Sequence, residues 1–71
     1  MKTRLRDLRE DKDLTQKQIA EMLKIHQTTY SDYELGNLNI PLEVLVTLSR
    51  FYKTNVDYIL YLTNNPTPYS N

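Results

Sequence analysis

The sequence has no cysteine and no tryptophan, a single glycine, three prolines, and no surplus of charge of either sign. Each scarcity narrows the reading. Without cysteine there is no disulfide frame and no thiolate metal site, and a reducing cytoplasm is the compartment that fits. With so few breakers, and few β-branched runs, the chain is expected to be helical. No apolar run approaches the roughly 20 residues that a membrane span needs. The opening Met1-Lys2-Thr3-Arg4-Leu5-Arg6-Asp7 lacks the apolar stretch of a signal peptide. No glycine-rich phosphate loop, nucleophile–base pairing or metal cluster can be found, so an enzyme is not expected and no cofactor is implied. His26 is the only histidine and has no partners at ligand spacing.

Seventy-one residues make one domain with a modest core. The formal net charge is zero, but unevenly laid out. Residues 1–24 hold seven Lys/Arg against five Asp/Glu, and residues 25–71 hold two against four. Such a chain cannot hold a polyanion by bulk attraction alone, so any such binding must rest on a few placed contacts.

Five helices are expected, near 3–12, 15–23, 27–35, 41–52 and 56–63. Leu5 and Leu8 share a face of the first. Thr15-Gln16-Lys17-Gln18 reads as a capping box opening the second, followed by Ile19, Ala20 and Leu23 as its buried stripe. Lys24-Ile25-His26 is a short break. In the third, Tyr30 and Tyr33 face inward and Gly36 closes the helix in the left-handed conformation. Asn37-Leu38-Asn39 is a loop. Pro41 is placed at the first position of the fourth helix, whose inner face is Leu42, Leu45, Leu48, Ser49 and Tyr52. Asn55 caps the fifth, with Asp57 in its first turn and Ile59 and Leu60 packing inward. From Asn64 the composition turns to Asn, Pro, Thr and Ser. The domain is therefore drawn as 1–63, with 64–71 a frayed tail or the start of a linker.

The second and third helices form a pair joined by a three-residue turn, with small Ala20 at their crossing. Gln27, Thr28, Ser31 and Asp32 remain outward on the third, at i, i+1, i+4 and i+5, where short or planar polar groups can reach base edges.

On Leu14-Thr15-Gln16, Ile19-Ala20, Leu23, Ile25, Tyr30-Ser31, Tyr33-Glu34 and Gly36 the chain resembles the Cro/cI-type, or XRE, helix-turn-helix family. Leu45 to Ser49 and Asn55 to Leu60 resemble its fourth and fifth helices, so the likeness covers about residues 3–62. It implies a five-helix, lambda-repressor-like, all-α domain that binds double-stranded DNA. Gln27, Thr28, Ser31 and Asp32 would be base contacts. Gln16, Lys17, Asn37 and Asn39 would meet phosphates. Arg9 and Glu34 would form a buried ion pair between the first and third helices. The resemblance further implies a transcriptional regulator, with a homodimeric repressor as the expected form; Phe51, Tyr58 and Tyr61 exceed what a small core requires and are candidates for its interface. Three positions depart from the family pattern. Lys24 stands where glycine is usual, His26 where a serine cap is common, and Asp32 places an acid on the DNA-facing side. Asp32 and the zero net charge motivate an alternative, a protein-interaction module such as an antitoxin or anti-repressor.

Overall fold

A computed structural model describes residues 1–69. Its elements are five helices and no strand among the described residues: α1 (Leu5–Asp11), α2 (Gln16–Leu23), α3 (Gln27–Leu35), α4 (Leu42–Phe51) and α5 (Val56–Ile59). Residues 70 and 71 of the expected tail lie outside the described residues.

Local chemistry sets most boundaries. The Thr15 hydroxyl accepts from the Gln18 amide at 3.1 Å, and the Gln18 side chain accepts from the Thr15 amide at 2.8 Å, completing the box that starts α2. α2 stops at Lys24, which sits left-handed at φ 58°, ψ 43°. A lysine there bears a penalty of about 1–2 kcal/mol that glycine would avoid. His26 occupies the cap position of α3 but its side chain makes no cap hydrogen bond. Gly36 closes α3 at φ 81°. A side chain there would be strained, and its Cβ would stand 2.9 Å from the Met1 carbonyl oxygen.

The core comprises Leu5, Ile19, Ala20, Tyr30, Tyr33, Ile40, Leu45, Leu48, Tyr52 and Ile59. Each helix contributes to it. Ala20, 2% exposed, lies on α2, which packs directly against α3. Ser49 is buried as well, and its hydroxyl is satisfied by donating to the Val46 carbonyl at 2.8 Å.

Three expectations are corrected. Pro41 is the cap of α4, with φ −57° and ψ 147°, rather than its first helical residue. That extended ψ turns the chain just before the helix. Leu42, expected on the inner face, is 69% exposed. It is the first residue of α4, and Ile40 is buried in the core instead. α5 spans four residues and ends at Ile59, well before residue 63. The chain reverses at Tyr61, which is left-handed at φ 63°. The cause is distant in sequence. The Arg4 guanidinium lies 4.2 Å from the Tyr58 ring centroid and 4.1 Å from that of Tyr61. It donates to the carbonyls of Tyr58 at 2.7 Å and Thr63 at 3.1 Å, fastening the path the chain takes after α5. Stacking on a partly desolvated cation stabilises by about 0.5–2 kcal/mol per ring, enough to hold one strained residue.

Candidate nucleic-acid interface

α3 is fixed from below. Tyr30 and Tyr33 are buried, and α2 crosses beneath it. Its other side is open: Gln27 and Thr28 are exposed in its first turn, and Ser31 and Asp32 are half-buried one turn later. A rigid helix that presents polar groups at these steps has the shape and chemistry to enter a major groove. Asp32 is not isolated. The Asn37 amide N–H donates to its backbone carbonyl at 2.9 Å, and the Asn37 side chain reaches its carboxylate at 3.4 Å. Asn39 is exposed in the same loop and Lys17 in the first turn of α2.

Behind the two helices lies a buried polar cluster. Arg9 Nε donates to Glu34 Oε2 at 2.6 Å and Nη2 donates to Oε1 at 3.1 Å. The two side chains are 13% and 4% exposed. Arg9 Nη1 donates to the Leu14 carbonyl at 2.8 Å, so the pair also fixes the chain leading into α2. Gln16 Nε2 donates to Glu34 Oε1 at 3.2 Å. Gln16, expected at a phosphate, thus has one amide N–H tied inward and a second left for an outside acceptor. Burial alone would raise the Glu34 carboxyl, but the donors around it, Arg9 foremost, outweigh burial and hold it below the ordinary range. The hydrogen bonds that Arg9 donates to Glu34 likewise raise Arg9. The Tyr30 and Tyr52 hydroxyls are buried with no hydrogen-bond partner among the described residues. Burial, reinforced by the nearby Glu34 charge, pushes Tyr30 far above the usual phenol range and Tyr52 up to about 12.

The aromatic residues considered for an interface have neighbours within the chain. Phe51 is half-buried edge-on against Tyr52, with centroids 4.9 Å apart, and Lys12 approaches its ring at 5.8 Å. Tyr58 and Tyr61 flank Arg4, and Tyr61 also meets Lys2 at 5.2 Å. Arg4 itself was not singled out by sequence. Its only signal would have been the tyrosine pair more than fifty residues away. No helix of the described residues is long and apolar enough to cross a membrane.

Two short helices crossing at a small residue, the second braced from below and polar above, define a helix-turn-helix DNA-binding domain. The chain belongs to the helix-turn-helix family, whose model matches residues 5–59. This agrees with the Cro/cI-type resemblance and marks a non-enzymatic DNA-binding module of transcriptional regulation. The chain is 46% identical over 65 residues to the uncharacterized HTH-type transcriptional regulator YobD of Bacillus subtilis, covering 92% of this chain and 58% of that protein. It is 37% identical over 57 residues to the HTH-type transcriptional activator BcrR of Enterococcus faecalis, covering 80% of this chain and 28% of the relative. It is 36% identical over 50 residues to the cryptic phage CTXphi transcriptional repressor RstR of Vibrio cholerae, covering 70% and 45%. The chain therefore spans between 28% and 58% of the length of these relatives. No solved structure gives a significant match.

Proposed function

We propose that this domain represses transcription as a homodimer, in the cytoplasm, by occupying a pseudo-palindromic operator. Two α3 helices would lie in successive major grooves about 34 Å apart and block access to the site. The observation that carries the reading is the exposure of Gln27 and Thr28 on the first turn of a helix locked by Tyr30 and Tyr33. Gln27 suits adenine, because its amide can donate and accept on one base edge. Thr28 and Ser31 supply shorter contacts, and Asp32 can accept from a cytosine amino group. Gln16, with its free amide N–H, and Lys17 meet phosphates from α2, as Asn37 and Asn39 do from the loop after α3. Pairing of two copies involves the region of Phe51, Tyr58 and Tyr61, where Tyr61 and Leu62 keep large exposed surfaces.

Zero net charge and the acid at Asp32 favour a second reading, in which the same surface serves chiefly to dock a protein. Selection of bound duplexes from a random pool, together with sedimentation of the domain with and without DNA, separates the two. Repression by a dimer predicts an enriched two-fold site and two copies per duplex. Failure to enrich any site at low salt, with a stoichiometric protein partner retained instead, would establish the docking reading.

A further inference from the structure

The junction between α4 and α5 is made of two polar residues that are almost wholly buried, Thr54 at 5% and Asn55 at 8% exposure. Polar groups so placed must find partners or destabilise the fold. Their partners come from residues 65–67. Thr54 Oγ1 donates to the Pro66 carbonyl at 2.8 Å. Asn55 Nδ2 donates to the Asn65 carbonyl at 2.9 Å and to the Thr67 carbonyl at 2.8 Å. Asn55 Oδ1 accepts from the Tyr58 amide at 2.7 Å, capping α5. Both N–H groups and the oxygen of one side chain are therefore in use, and three successive backbone carbonyls are bound by two buried residues.

The bound segment suits that role. Pro66 and Pro68 have fixed φ and push Asn65 and Thr67 toward extended conformations, so little freedom is lost on docking. Asn65 stiffens it further, its Oδ1 accepting from Thr67 N at 3.0 Å and Oγ1 at 2.6 Å. Both ends are fastened. Arg4 Nη2 donates to the Thr63 carbonyl at 3.1 Å and to Asn64 Oδ1 at 3.0 Å, and the Tyr69 hydroxyl accepts from the Val56 amide at 2.9 Å.

We propose that Thr54 and Asn55 form a binding slot for the carbonyls of an extended, proline-containing peptide, and that its ligand is the chain's own residues 65–67, held in cis as a strap. The strap extends the folded unit past residue 63. It ties the Arg4 end of the chain to α5. The inference is independent of the DNA reading.

The test is backbone amide relaxation on the full chain. Asn55→Asp keeps an oxygen to cap α5 but loses both donors. In the unsubstituted chain, the amides of Asn64, Asn65, Thr67 and Tyr69 should have order parameters near those of the helices, about 0.85. In Asn55→Asp they should fall below about 0.6 while α4 remains rigid. Thr54→Val, which loses only the Pro66 bond, should loosen the segment less, and it keeps the test decisive should Asn55→Asp not fold. A strap already mobile in the unsubstituted chain would overturn the proposal, as would one unmoved by either substitution. Ordering that strengthens with protein concentration would overturn the cis assignment and place the strap in a second copy.

Discussion

Arg9→Met removes the positive half of the buried pair while keeping an unbranched apolar stem. Three hydrogen bonds go with it, two to Glu34 and one to the Leu14 carbonyl. Glu34, only 4% exposed, is left with Gln16 as its donor. Stranding a buried charge in this way costs about 3–5 kcal/mol. Small domains have roughly 5–15 kcal/mol in total, and each kcal/mol shifts Tm by about 4–8 °C at this size. The variant should therefore melt tens of degrees lower. Removing both charges, as Arg9→Met with Glu34→Leu, should recover stability to within about 1 kcal/mol of the parent, because no charge is then stranded. Acid separates the two mechanisms further. In the parent, Glu34 is held below its unfolded value, so its contribution is present above about pH 4.5 and is lost as pH falls through the folded value. In Arg9→Met, burial without the cation raises the same carboxyl, and stability should increase as pH falls from neutral. Urea unfolding at a series of pH values reads both effects. A single variant within about 1 kcal/mol of the parent, or a double variant no better than the single, would refute the account of the pair.

Lys24→Gly relieves the left-handed lysine at φ 58° and should raise Tm by a few degrees, about 0.5 kcal/mol after the entropy lost by glycine; a fall in Tm would count against strain at this turn. Gly36→Ala should destabilise by about 1–2 kcal/mol in urea unfolding, since φ 81° disfavours a side chain and the added carbon meets the Met1 carbonyl. Thr15→Ala should lose about 1 kcal/mol in the same assay by opening the capping box. Alkaline unfolding should be steep. Tyr52 is raised to about 12 and Tyr30 higher still, so the stability they confer is full below their unfolded value near 10 and declines as pH rises above it. Each contributes a slope of up to about 1.4 kcal/mol per pH unit, and Tyr52→Phe should remove one of the two.

What the sequence disclosed was local. The Thr15–Gln18 box, the Gly36 stop and the Asn55 cap each depend on residues within three or four positions, and all three are present. The outward placement of Gln27 and Thr28 followed from helical spacing once Tyr30 and Tyr33 were taken as inward. The family pattern suggested Arg9 with Glu34, and the structure joins them. The remainder was non-local. The periodicity after Asn55 would carry a helix to residue 63, and nothing nearby shows that Arg4 claims the carbonyls of Tyr58 and Thr63. The composition after Asn64 resembles that of loose chain, because its partners, Thr54 and Asn55, lie ten or more residues earlier. Leu42 fits an inward stripe by spacing alone, yet it is exposed, and Ile40, two residues before it, is buried in its place.

The central claim is that α3 reads bases while α2 grips the backbone. It is tested most directly by comparing Gln27→Ala and Gln16→Ala on a selected site and on its single-base variants. The account predicts that Gln27→Ala loses about 1–3 kcal/mol of discrimination at one base position and leaves the others intact. Gln16→Ala should weaken binding to every duplex alike. Uniform weakening by Gln27→Ala, or unchanged specificity at every position, would contradict the assignment of α3 as the reading helix.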